Sequence, residues 1–145
     1  MPAIRPFSNA LHRSQVIALW ESSFGYSTTH NRPDIIIDKK LKVRDGLFFV
    51  ALDDTRVIGT VIAGYDGHRG WLYSLAVAPL YQRKRVGTLL VAHAERALAK
   101  RGCVKINLQI LGGNEKVIEF YKALGFSVEN RISMGKTLKE NLPAE

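Results

Sequence analysis

The chain has 145 residues, 46% of them apolar, with 21 Lys and Arg against 13 Asp and Glu for a formal charge of +8. That length predicts one domain with a core large enough to fold unaided, and the composition excludes a disordered chain. The single cysteine, Cys103, excludes an intrachain disulfide and a thiolate zinc site, and the absence of an 18-residue apolar run excludes a membrane-spanning helix.

Residues 3–7 read as a short edge strand, because Pro6 cannot donate to a ladder. Over 11–24, Val16, Ile17, Trp20 and Phe24 recur at helical spacing, and Gly25 stops the helix. Residues 26–32 are polar and loop-like. Pro33 opens a short helix over 34–44, although Ile35, Ile36 and Ile37 also permit a strand. A β meander follows, with strands at 47–52, 57–65 and 71–77, a turn at Asp53-Asp54 and a hairpin at residues 66–70. Residues 86–100 make the clearest helix, ending before Gly102. Ile106, Leu108 and Ile110 alternate in a strand over 105–111. A helix at 115–124 is stopped by Gly125, and strands at 126–130 and 132–137 close the chain. The order βααβββαβαββ predicts an α/β (α+β) fold with a mixed, mostly antiparallel sheet and helices on both faces. The expected domain is 1–140, with 141–145 frayed. The N-terminal segment lacks the apolar core of a signal peptide, so the expected location is the cytoplasm.

The positive surplus favours anionic partners, and its densest cluster is Arg83-Lys84-Arg85. This cluster lies where a strand runs into a basic loop that opens the longest amphipathic helix. First-turn N–H groups lack intrahelical acceptors, and the macrodipole is positive there. Gly87 admits a phosphate close to the backbone, Thr88 adds a hydroxyl donor, and Val86 starts the helix. Three cations beside a helix N-terminus oppose the dipole, a local conflict expected where binding overrides stability. The arrangement suits a pyrophosphate. It is neither a P-loop nor a G-x-G-x-x-G turn.

Tyr121 lies on the helix that also carries Val117, Ile118 and Leu124. A phenol with an ordinary pKa near 10 stays protonated at neutral pH and can act as a general acid; the alternative is a half-buried core residue. Cys103 reads as a packing residue rather than an acyl carrier. His12, His30, His68 and His93 have no metal-ligand spacing, so no metal is expected.

Three segments together resemble the GNAT superfamily of acetyl-coenzyme-A-dependent N-acetyltransferases. Leu75-Ala76-Val77-Ala78-Pro79 is similar to the family's central strand, and Gln82-Arg83-Lys84-Arg85-Val86-Gly87 to its Q/R-x-x-G-x-G/A loop. Asn114 to Phe126 is similar to its late N-…-Y-x-x-x-G-F helix. Gly64 to Gly70 also resembles a small bacterial subgroup of uncharacterised acetyltransferases. The resemblance implies acetyl-CoA as cosubstrate and a V-shaped splay between the strands at 71–77 and 105–111. The pantetheine arm would pair with Leu75, Ala76 and Val77. Backbone N–H groups of Arg83, Lys84, Arg85, Val86, Gly87 and Thr88 would hold the pyrophosphate. Asn114 would face the arm, and Tyr121 would protonate the leaving thiolate. Two departures stand out: Arg85 occupies the place of the loop's first glycine, and Gly70-Trp71-Leu72-Tyr73 lacks the carboxylate that serves relatives as general base.

The implied reaction is direct attack of a small-molecule or peptide amine on the thioester in a ternary complex. Water and a backbone carbonyl, Tyr73, Asp66 or His68 are the candidate routes for the amine proton. The acceptor pocket is expected from residues 24–38, the 65–70 hairpin and the final strands. The competing readings are a coenzyme-A-binding sensor without catalysis and a basic nucleic-acid module. The second lacks any helix-turn-helix, RRM or KH signature. Monomer and homodimer are both open.

Overall fold

The computed structural model describes residues 2–25 and 29–142. One mixed sheet has its strands in chain order: β1 (Ala3–Pro6), β2 (Phe48–Asp53), β3 (Arg56–Tyr65), β4 (Gly70–Val77) and β5 (Ile106–Asn107). The first four pair antiparallel, and β5 joins β4 in parallel. Four α-helices accompany it among the described residues: α1 (Asn9–Phe24), α2 (Pro33–Val43), α3 (Val86–Lys100) and α4 (Glu115–Ala123). The chain divides into two compact units, Met1–Leu108 and Gln109–Glu145. The sheet and α1 to α3 belong to the first, α4 to the second.

β2 and β3 are near-continuous apolar runs because helices cover both faces of the sheet. Side chains alternate along β2. Phe48 stacks on Trp20 of α1, ring centroids 5.7 Å apart, while the next residue, Phe49, meets His93 of α3 edge-on at 4.6 Å. Val16, Trp20, Ile37, Val50 and Ile62 fill the α1–α2 side. On α3, Val86, Leu90, Val91, Ala94 and Leu98 are buried, the stripe its spacing predicts.

α1 starts two residues before its apolar pattern does. Ser8 caps it, accepting from the Leu11 N–H at 3.3 Å, while Nδ1 of His12 accepts from the Ser8 N–H at 2.9 Å. This is a reciprocal cap with His in place of the usual Glu or Gln. Residues 33–43 resolve as helix rather than strand. Of the loop expected over 26–32, residues 26–28 lie outside the described residues and Thr29–Asn31 is a 3-10 turn. Lys139–Asn141 forms another 3-10 turn, and 143–145 lie outside the described residues.

Three strand expectations need correction. The strand at 105–111 contracts to Ile106–Asn107, because its ladder with β4 ends at Trp71 opposite Asn107. The closing strands at 126–130 and 132–137 do not form; no ladder follows β5 among the described residues. Val128, Ile132 and Met134 alternate as a strand would but are 75%, 91% and 92% exposed. A two-stranded hairpin needs a third strand or a helix to bury one face, and among the described residues these side chains stay exposed.

Candidate functional site

The site begins with a fault in β4. Thr60 pairs with Ala76 and Ile62 with Tyr73, so β3 spends one residue where β4 spends two. The extra residue is a β-bulge. Ser74 takes the left-handed conformation there, φ 51°, which is costly for a residue with a Cβ. The bulge lies beyond the last β4–β5 pair. Among the described residues, β4 from Leu72 to Val77 therefore has β3 as its only strand neighbour. Leu75, Ala76 and Val77 run along this one-sided stretch.

After β4 the chain makes a 3-10 turn, Pro79–Tyr81, and reaches the basic loop. Arg83 and Arg85 both have positive φ, 61° and 67°. Arg85 is thus the N-cap of α3 in the conformation a glycine would adopt, without a side-chain cap bond. An arginine here leaves the loop's backbone path as glycine would have it and adds charge. The first helical bond runs from Leu89 N–H to the Arg85 carbonyl at 3.0 Å. The N–H groups of Val86, Gly87 and Thr88 have no intrahelical acceptor. Arg83, Lys84 and Arg85 are all exposed around this helix end. The Gln82 side chain donates to the Val77 carbonyl at 3.1 Å, tying loop to strand. The Tyr81 hydroxyl donates to Asp53 at 2.6 Å, and the Lys84 ammonium lies 5.8 Å from the Tyr81 ring centroid. Leu75 through Thr88 therefore form one continuous feature: a one-sided strand edge, a tethered turn and an anion-ready helix start.

Asn114 and Tyr121 lie in the second unit. Asn114 is the exposed N-cap of α4; its carbonyl accepts from Ile118 N–H at 3.2 Å, and its side chain makes no cap bond. Tyr121 is 7% exposed. Its position is set by how α4 ends. The Phe126 N–H reaches back to the Tyr121 carbonyl and the Gly125 N–H to the Lys122 carbonyl, both at 3.0 Å. This is a Schellman ending with Gly125 at φ 96°. The apolar contact such endings favour is Phe126 on Tyr121, ring centroids 5.4 Å apart at 74°. The Y-x-x-x-G-F spacing is therefore a helix stop that clamps the tyrosine ring. Burial pushes the phenol up to about 12, so it holds its proton at any physiological pH.

The candidate bases fare differently. The Asp66 carboxylate accepts from Arg69 and His68 N–H groups at 2.7 and 2.8 Å, which hold it below the usual carboxylate range. Partial burial, then the Asp66 charge, raises the Tyr73 phenol. Both shifts disfavour taking a proton at neutral pH. His68 is exposed, a ring nitrogen 3.4 Å from the Arg69 guanidinium. Cys103 is half-buried; its thiol donates to the Lys105 carbonyl at 3.3 Å, and a Cβ on Gly70 would stand 2.7 Å from its sulfur. Among the described residues, no group of three His, Cys, Asp or Glu is placed to hold a metal, and no helix is long and apolar enough to cross a membrane.

Sequence reasoning missed Thr60, Asp53 and Gly59. Glycine inside an apolar strand is the usual sign of close backbone approach, and a Cβ on Gly59 would stand 2.9 Å from Leu90 and 3.2 Å from Val86 of α3. Thr60 and Asp53 gave no signal, since their partners are distant in sequence.

Comparison with known proteins bears on the family and the fold. Residues 13–126 match the model of the acetyltransferase (GNAT) family, a span running through both units. An acetyltransferase of Sodalis glossinidius is 38% identical over 128 residues, covering 88% of this chain and 89% of that one. A Thermoplasma acidophilum N-acetyltransferase solved with coenzyme A superposes with a TM-score of 0.78 at 21% identity, covering 91% and 93% of the two chains. The aminoglycoside acetyltransferase AAC(6')-Iy, solved with a bisubstrate analogue, gives 0.75 at 19%, covering 95% and 99%. A family match over most of the chain, a relative well above 30% identity over most of both chains and a shared fold point the same way: this chain is a member of the GNAT family of acetyltransferases.

Proposed function

We propose that the chain moves the acetyl group of acetyl-CoA onto a primary amine of a small molecule or peptide by direct attack in a ternary complex, as a cytoplasmic N-acetyltransferase. The observation that carries this reading is the one-sided edge of β4 running straight into the tethered basic turn and the N-terminus of α3. An extended pantetheine arm pairs as a strand along Leu75, Ala76 and Val77. The pyrophosphate sits on N–H groups from Arg83 to Thr88, with the Arg83, Lys84 and Arg85 side chains adding charge. Asn114 faces the arm.

The neutral amine attacks the thioester carbonyl, and the oxyanion is held by an N–H of β4 near Val77. Such a donor contributes about 10²–10³ in kcat. The C–S bond then breaks, the amide forms, and Tyr121 gives its proton to the departing thiolate before regaining one from water. Asp66 and Tyr73 are shifted the wrong way for a base, so the amine proton leaves through water or His68. The packed thiol of Cys103 fits a route with no acyl-enzyme. Membership of an enzyme family lends no support to a sensor or a nucleic-acid module.

Acetyl-CoA at about 100 times its Kd stabilises the fold by about 2.7 kcal/mol, raising Tm by about 8 °C. Thiol release over a panel of amines then identifies the acceptor class. Tyr121→Phe lowers kcat about 10²-fold or more with KM for acetyl-CoA within about threefold. No Tm response to acetyl-CoA defeats the reading, and unchanged turnover in the Phe variant removes the acid role.

A further inference from the structure

The bulge in β4 is strained, and one side chain inside the sheet holds it. Thr60 is fully buried on β3. Its hydroxyl donates to the Ser74 carbonyl at 2.9 Å and accepts from the indole N–H of Trp20 at 2.8 Å. The direction of both bonds is forced, since an indole N–H only donates and a carbonyl only accepts. Trp20 is itself 1% exposed, so the relay runs from α1 through the sheet to the left-handed residue of the bulge, out of reach of water. In that setting a missing partner is costly, and each bond is correspondingly directive.

The Ser74 carbonyl belongs to the peptide whose nitrogen is that of Leu75. Fixing that plane fixes how the next groups on the one-sided edge, Leu75 to Val77, are aimed. From this juxtaposition we infer that Thr60 is a positioning residue for acetyl transfer: through the Ser74 carbonyl it holds the bulge that aims the β4 backbone at the acetyl-carrying arm. The inference rests on the proposed acetyl-CoA function for its consequence, but its structural half stands alone. Thr60 is fully buried and its hydroxyl is taken up by Ser74 and Trp20, so its effect travels through backbone geometry.

The test uses Thr60→Val, equal in volume without the hydroxyl, with Thr60→Ser to restore it. Trp20→Phe is the control: it removes the donor to Thr60 and disturbs the core yet leaves the bond to Ser74. Thr60→Cys, with a weak donor, replaces Thr60→Val should the latter not fold. Backbone chemical shifts report the Ser74 conformation, and amide shifts report a coenzyme A titration. In Thr60→Val the left-handed signature of Ser74 is lost. Shifts induced at residues 75–77 fall by more than half while those at Gly87 and Thr88 persist. Thr60→Ser and Trp20→Phe keep both, although Trp20→Phe lowers Tm. A left-handed Ser74 in Thr60→Val overturns the inference, as does an equal loss of response at 75–77 and 87–88. A wild-type protein that ignores coenzyme A defeats the acetyl-CoA reading and the consequence drawn for the arm, with the Ser74 shifts still deciding what holds the bulge.

Discussion

Replacing Gly59 by alanine tests whether α3 is seated where the site requires. Gly59 pairs with Val77 across the β3–β4 ladder. A Cβ there would stand 2.9 Å from Leu90 Cδ1, 3.1 Å from the Ala76 carbonyl oxygen and 3.2 Å from Val86 Cγ1. The carbonyl is main chain of β4 and cannot turn aside. Leu90 and Val86 are 0% and 2% exposed, so neither has room to swing into, and the helix must lift. Overpacking of this kind costs about 1–3 kcal/mol, against about 0.4–1 kcal/mol gained because alanine restricts the unfolded chain. The net loss is about 1–2 kcal/mol, or about 3–6 °C in Tm for a chain of this length. Val86 opens α3, so lifting it also carries the first-turn N–H groups away from β4, and acetyl-CoA affinity falls about fivefold or more. Thermal denaturation and calorimetric titration read the two effects. Leu90→Val removes the nearest clashing atom, so in the double variant the losses should fall short of their sum by at least about 0.5 kcal/mol. Strict additivity, or a Tm at or above wild type, would refute the close seating.

Arg85→Gly separates strain from charge: relief of the left-handed arginine outweighs glycine's added freedom, so Tm should rise by about 1–3 °C while coenzyme A affinity drops about threefold or more, and a fall in Tm contradicts the strain. Burial lowers the His12 pKa below 6.5, and the Ser8 N–H needs its Nδ1 unprotonated. The unfolded state then binds protons first, so stability is full above pH 6.5 and declines as pH falls below it. His93 is lowered likewise, by burial and then by Arg96 and Lys100. His12→Gln should therefore flatten, without abolishing, the loss of Tm between pH 7 and 5; an unchanged slope excludes His12. Cys103→Ala should leave turnover intact and soften the cost of Gly70→Ala, whose Cβ meets the Cys103 sulfur first; loss of turnover would reinstate an acyl-enzyme.

What was legible in the sequence was whatever depended on neighbours in the chain. The meander is written in apolar runs separated by turn residues, and α3 in its stripe from Val86 to Leu98. The anion-ready turn follows from a basic loop opening that helix, and the Tyr121 clamp from a glycine four residues on and a phenylalanine after it. The strands at 126–130 and 132–137 mark the limit. Alternation specifies which face a strand would bury, not whether anything exists to bury it against. The link from Trp20 to Thr60 spans 40 residues and that from Asp53 to Tyr81 spans 28, and no spacing rule reaches so far.

The positions of backbone strain make a separate argument for where function lies. Five non-glycine residues among those described have positive φ: Arg44, Asp54, Ser74, Arg83 and Arg85. Three fall within a dozen residues, on the strand edge and loop that carry the candidate site. Each such residue costs about 1–3 kcal/mol and persists only where its surroundings hold it. Here the holders are identifiable. Thr60 grips the Ser74 carbonyl from inside the sheet. Gln82 binds the loop back to Val77, and Asp53 anchors Tyr81 at its entrance. A loop needed only to join β4 to α3 would not require arginines in a conformation that suits glycine, nor two tethers at its entrance. The cost is understandable if the backbone shape is fixed by a ligand's needs and the arginines by its charge, and an anionic carrier lying along β4 with its diphosphate at α3 meets both conditions at once.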